Sequence, residues 1–173
     1  DAEHAVFVER RVAFHGQDVL ALVLGHDFFE DAEARFVKIN RNPCPTGLEV
    51  LDGKDILRGG LGRGELGVVV APTGVGKSHW LTAMGAHALK MGKNVVHYTF
   101  ELTETAVGLR YDSNLCGVPS NDVPDMKEEI LKNYETMDLG RLIIKEYPTG
   151  AATVQMLRNH IEKLSLKGFV PSL

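Results

Sequence analysis

Cysteine is scarce in this chain of 173 residues, with only Cys44 and Cys116. Two thiols cannot by themselves make a tetrahedral zinc site, and their spacing suggests no disulfide framework. A reducing cytoplasm is the expected setting. Long apolar runs are also missing: none approaches the roughly 20 residues needed to cross a bilayer, and residues 1–30 lack the charged, apolar, small order of a secretory signal. The reading is a soluble protein with no membrane partner. Positive charge is not in surplus either, since 19 Lys and Arg stand against 23 Asp and Glu, a formal net charge of -4. That excludes a broad nucleic-acid face on this chain, because phosphate contacts need clustered cations. Any DNA contact is expected to be local or to lie elsewhere. Solenoid-length repeats and low-complexity tracts are absent as well.

What is present is 44% hydrophobic and 24% charged composition, enough for one core, and one domain with an arm is expected. From Gly67 onward, short β-branched runs alternate with longer amphipathic stretches, the pattern of βα units around a parallel sheet. "GVVVAP" (67–72) predicts a buried strand and "KSHWLTAMGAHALKMG" the helix after it, stopped at Gly92. "NVVHYTF" (94–100) predicts a second strand, and a helix over about 104–115 follows, ending near Gly117. Ser120 and Asn121 suggest N-caps for an acidic helix running to about 137, whose charges make a solvated face. "RLIIKEY" (141–147) predicts a third strand. "AATVQMLRNHIEKLSLK" predicts a helix with Val154, Leu157, Ile161 and Leu164 at helical spacing, ended by Gly168. By that alternation "FVPSL" is expected to lead into another strand.

The first 66 residues differ in texture. "DVLALVLGHDFFEDAEARFVKI" predicts one or two helices, followed by Pro43, Pro45 and a glycine-rich connection. We divide the chain into a helical arm or linker over 1–42 and an α/β domain over 43–173. His4, His15 and His26 recur every eleven residues, but Gly16 and Gly25 argue against one continuous helix, and coincidence outweighs metal binding there.

"APTGVGKS" (71–78) has a strand before it and a helix after it, which is the context a phosphate loop requires. Gly74 and Gly76 let the backbone curl so that successive N–H groups point at phosphate oxygens, and the helix N-terminus adds partial positive charge. The residues assigned to the nucleotide are Ala71, Pro72, Thr73, Gly74, Val75, Gly76, Lys77, Ser78 and His79. Lys77 is assigned to the β- and γ-phosphates and Ser78 to Mg²⁺. Ala71 departs from the glycine that opens the strict pattern, but it is small enough for the turn. The competing reading is a glycine turn before an ordinary helix. Such a loop reads phosphates and does not specify the base.

Glu101 follows the second predicted strand, so its carboxylate is expected at the C-terminal edge of the sheet, where open α/β sheets bind ligands. There it could orient and deprotonate a water attacking the γ-phosphate. Glu104 reads as a first-turn acid favoured by the helix dipole.

These residues carry a family resemblance. "PTGLEVLDGKDILRGGLGRGELGVVVAPTGVGKS" with "GKNVVHYTFELTETAVGLRYDSNLCGV" resembles the RecA-like motor domain of DnaB-type replicative helicases, most closely the version in T-even-like phages. The similarity covers about residues 43–173 and includes "EYPTGAATVQMLRNHIEKL". It implies a RecA-like P-loop NTPase fold, a mostly parallel sheet with helices on both faces. It implies ATP rather than GTP, Mg²⁺, and Glu101 as the catalytic glutamate with Lys77. Arg110 falls where the family has an arginine on the next helix, with a structural or coupling role. The implied partners are single-stranded DNA, other copies of the chain in a hexameric ring, a primase and a helicase loader.

In that family a following strand ends in an Asp that holds Mg²⁺ through water, and a sensor, DNA loops and an arginine finger come later. No apolar run closed by Asp follows residue 100, and "RLIIKEY" turns basic after three apolar residues. The expectation is therefore the N-terminal part of a motor domain, with single-stranded DNA contacted through regions outside this chain. Alone, the chain is expected to bind nucleotide weakly and not to unwind DNA. The arm resembles, in position only, the linker helix that docks on a neighbouring subunit, a role for which Leu20, Leu22, Leu24, Phe28 and Phe29 are suited. Two alternatives share the loop and the strand-end glutamate or the loop alone: a RecA- or KaiC-like recombinase or regulatory ATPase, and a non-enzymatic assembly domain that keeps the phosphate loop.

Overall fold

The computed structural model describes residues 27–30, 32–36 and 40–173. The chain divides into two units, Asp1–Asn40 and Arg41–Leu173. The leucines at 20, 22 and 24 and the recurring histidines at 4, 15 and 26 lie outside the described residues. Within the first unit, Asp27 Oδ1 accepts from the N–H groups of Phe29 (2.9 Å) and Glu30 (2.8 Å). A short 3-10 turn covers Ala32–Phe36. Arg35 donates to Phe28 O and sits 4.2 Å above the Phe28 ring, while Phe28, Phe29 and Phe36 are exposed.

In the second unit a one-turn helix, α1 (Glu49–Asp52), closes a hairpin-like lead-in. The Asp52 carboxylate accepts from Thr46 N, Thr46 Oγ1 and Gly47 N. Burial pushes that carboxyl up, and these donors outweigh it and hold it below its usual range. Cys44 and Leu61 pair antiparallel in a single bridge. Arg41 staples the same region, donating to Leu57, Arg58 and Gly60 carbonyls and to both oxygens of Glu65.

The α/β part follows as α2 (Lys77–Lys90), β1 (Val95–Thr99), α3 (Glu104–Cys116), α4 (Lys127–Thr136), β2 (Leu142–Glu146) and α5 (Val154–Leu166). β1 and β2 are parallel, in register from Val95 against Leu142 to Thr99 against Glu146, and the intervening helices supply the crossover that parallel strands require. Thr103 and Thr153 cap α3 and α5 by accepting from Ala106 N and Met156 N, each such cap contributing about 1 kcal/mol. Left-handed Gly92, Gly117 and Gly168 follow α2, α3 and α5.

The core joins Ala86, Ala88 and Leu89 of α2 to Val95 and to Val107, Tyr111 and Leu115 of α3. Fully burying one such aliphatic side chain contributes about 1.5–3 kcal/mol. Close approach of α2 and α3 depends on Gly85, where an added Cβ would stand 2.1 Å from Tyr111 Oη. Successive strand residues face opposite sides: His97 meets Tyr111 of α3, and Tyr98 meets His160 of α5. Helices therefore flank both faces of this small sheet. Among the described residues no helix is long and apolar enough to cross a membrane.

Two expectations need correction. "GVVVAP" forms no strand, and Val68 and Val70 are exposed. A strand exists only where a neighbour completes its hydrogen-bond ladder, and the backbone of 66–72 finds none among the described residues. Among the described residues the sheet accordingly has two strands, not three or more. A groove of about 550 Å³ separates this run from β1, lined by Val68 and Val69 on one side and Val96 and Tyr98 on the other. At its mouth Leu173 N–H donates to Asn94 O and Val96 N–H to Leu173 O, the bond pattern of a parallel pair with Val95. Second, the acidic helix begins at Lys127 rather than near Ser120. Pro124, lacking an N–H, sits in a 3-10 turn over Val123–Met126, so neither Ser120 nor Asn121 caps it.

Candidate nucleotide site

The loop over 71–76 owes its shape to two left-handed glycines, Gly74 at φ 81° and Gly76 at φ 100°. Gly76 is the N-cap of α2 and, having no side chain, leaves the first-turn N–H groups without a side-chain acceptor. Nothing lies within 4 Å of the position a Cβ would take at either glycine. The result is an open backbone cradle at a helix N-terminus, where aligned N–H groups and the helix dipole favour an anion. Thr73, Val75, Ser78 and His79 are exposed around it. Ala71 and Pro72 turn their carbonyls inward and accept from Lys77 Nζ at 2.8 and 2.7 Å. Thr82 Oγ1 donates to Ser78 O, one turn down the helix.

Glu101 stands at the other flank. The short turn from α2 into β1 makes the helix run back along the strand, so the N-terminus of α2 and the C-terminus of β1 share one end of the fold. Glu101 is exposed and its carboxylate has no hydrogen-bond partner among the described residues. Its backbone is held instead. The buried Thr99 hydroxyl donates to Leu102 O (3.0 Å) and accepts from Leu102 N–H (3.1 Å), clamping the turn that carries Glu101. From the β2 side, Thr149 Oγ1 donates to Phe100 O at 2.6 Å, and Tyr147 N–H donates to Thr99 O at 2.9 Å.

Glu104 is committed elsewhere. It accepts from Glu146 N–H and Lys145 Nζ, both at 3.1 Å, and these bonds hold its carboxyl below the usual range. It is more than a first-turn acid, because it fastens α3 to the end of β2. Arg110 lies near His97, and burial followed by that positive charge lowers the imidazole's pKa.

Sequence reasoning named the loop over 71–78 and Glu101, and the structure places the loop at the N-terminus of α2 and Glu101 just past β1. It missed the two threonines that hold the Glu101 turn, although Thr99 two residues before the acid was a readable hint. No group of three His, Cys, Asp or Glu able to hold a metal occurs among the described residues. Ser78, at the mouth of an anion-favouring cradle, fits a metal that arrives with phosphate, since such an ion keeps several waters and takes few protein oxygens.

No protein-family model matches the chain. The chain is 36% identical over 160 residues, 87% of its length, to a DnaB-like replicative helicase of Enterobacteria phage T4, and spans 33% of that protein. The resemblance to T-even-like replicative helicases holds across most of this chain and about a third of the relative.

Proposed function

We propose that this chain, similar over most of its length to a DnaB-like replicative helicase, is the ATP-binding part of a RecA-like motor that hydrolyses ATP to move on single-stranded DNA. The observation that carries the reading is the open glycine cradle at the N-terminus of α2, with a carboxylate that has no partner among the described residues just past the adjoining strand. A phosphate chain would lie along the N–H groups of residues 74–79. Lys77 would exchange the carbonyls of Ala71 and Pro72 for the β- and γ-phosphates. Ser78 would hold Mg²⁺, which would supply charge neutralisation on the phosphate oxygens. Glu101 would orient a water in line with the γ-phosphate and take its proton.

The groove beside β1 fits this reading. A further parallel strand paired along β1 would fill it and give 66–70 the ladder it lacks. The wider activity is part of the same proposal: a cytoplasmic, hexameric, DNA-unwinding assembly with primase and loader partners.

The test is a pair of variants in the full-length protein. Lys77→Ala is expected to weaken ATP binding and abolish hydrolysis, and Glu101→Gln to bind ATP and fail to hydrolyse it. Normal hydrolysis by Glu101→Gln would sink the assignment. Loss of ring assembly with no ATPase activity in the unaltered protein would favour a structural domain. Strand exchange without unwinding would favour a recombinase.

A further inference from the structure

We infer that the segment over residues 147–151, between β2 and α5, positions the Glu101 turn, with Thr149 as the positioning residue. This rests on the reading of Glu101 as the general base. A carboxylate with no partner among the described residues takes its placement from its own backbone. The peptides on either side of Glu101 are pinned from two directions. After it, Leu102 is gripped from within the strand end by the Thr99 hydroxyl. Before it, Phe100 is gripped from outside: its carbonyl accepts from Thr149 Oγ1 at 2.6 Å, and its ring stacks on Tyr147 at 6.5 Å between centroids and 26° between planes. Tyr147 N–H extends the same attachment to Thr99 O.

The strength of the two attachments differs. The Thr99 clamp is buried and belongs to the folded strand end. Thr149 and Phe100 are exposed, so water competes for the Phe100 carbonyl and losing the Thr149 hydroxyl leaves no buried group unsatisfied. Removing it should free the peptide before Glu101 without unfolding the domain. A misplacement of about 1 Å in a reacting group can cost about a hundredfold in rate. Partial loosening of one flanking peptide should cost less.

The experiment uses the full-length protein and measures DNA-stimulated ATP hydrolysis with kcat and KM separated. Thr149→Val, close to threonine in volume, is expected to lower kcat roughly tenfold while KM for ATP and the urea midpoint stay at the unaltered protein's values. Thr149→Ser, which keeps the hydroxyl, is expected to restore kcat. Tyr147→Leu, removing the stack, is expected to lower kcat in the same direction. An unchanged kcat in Thr149→Val, or an equal loss in Thr149→Ser, overturns the inference. Glu101→Gln run alongside separates the two ideas. If it abolishes hydrolysis while Thr149→Val does nothing, only the positioning role fails. If it hydrolyses ATP normally, both fail.

Discussion

Lys77 Nζ donates to the carbonyl of Ala71 at 2.8 Å, so the ammonium at the start of α2 is satisfied by the glycine loop that precedes it. Pro72 O provides a second acceptor at 2.7 Å. On the proposed reading, nucleotide binding would exchange these neutral acceptors for phosphate oxygens. A hydrogen bond to a charged group contributes about 1.5–3 kcal/mol, and the carbonyl bonds given up offset part of that. Lys77→Ala should therefore weaken ATP affinity toward the low end of the range, about tenfold. Titration with a fluorescent ATP analogue in the full-length protein measures it, and unchanged affinity would remove Lys77 from the phosphate site.

The two acids between β1 and the first turn of α3 should separate cleanly. Glu104 is tied to Lys145 Nζ and Glu146 N–H, whereas Glu101 has no partner among the described residues. Glu104→Gln should loosen the end of β2, seen as faster amide exchange at Glu146, and keep ATP hydrolysis. Glu101→Gln should do the reverse. Exchange at Glu146 that is unaltered in Glu104→Gln would contradict the fastening role.

How much of this could be read from the sequence depends on how local the cause is. α2, α3 and α5, with glycine stops at 92, 117 and 168, follow from periodicity and a positive-φ residue just beyond each helix, all decided within one segment. β1 and β2 lie within a residue or so of their expected limits for the same reason. Residues 67–72 carry an equally clear β-branched run, yet that pattern states a demand for burial and says nothing of which neighbour will meet it. Pairing is a non-local event, and here Val68 and Val70 stay exposed. The glycine turn into α2 was legible because its conformation is set within eight consecutive residues, with Gly74 and Gly76 at positive φ. The Thr149 contact with Phe100 was not, since it spans 49 positions and joins a hydroxyl to a carbonyl that only the folded sheet brings together.

Gly85 offers a packing test. An added Cβ would meet Tyr111 Oη at 2.1 Å, and Tyr111 is among the largest fully buried side chains. Overpacking of this kind costs about 1–3 kcal/mol. Gly85→Ala should lower the urea midpoint accordingly. Adding Tyr111→Phe removes the clashing hydroxyl and should recover part of the loss, but not all, because the next ring atom is 2.9 Å from the new Cβ. A double variant less stable than either single one would show that the helices are not held apart by this contact.

The same tyrosine links packing to pH. Tyr111 Oη lies 3.1 Å from His97 Nδ1, and burial, followed by the nearby charge of Arg110, lowers the His97 pKa from its ordinary 6.5. The unfolded chain therefore takes up a proton at His97 at higher pH than the folded one. Stability is governed by which state binds more protons. Above about pH 6.5 both states are neutral at this residue and it adds no slope. As pH falls through the ordinary value, the unfolded state gains the proton first and stability declines, until the lowered folded pKa is reached. His160 shifts in the same direction, through burial and then Lys145 and Lys163, so it contributes to the same decline. Urea midpoints taken from about pH 7.5 to about pH 5.5 should fall in the unaltered protein, a window in which unfolded carboxylates remain largely ionised. His97→Asn keeps a polar group near Tyr111 and cannot titrate. Its midpoint is expected to be lower throughout but to fall less steeply, and an unchanged slope would mean that His97 is not the group lost to acid.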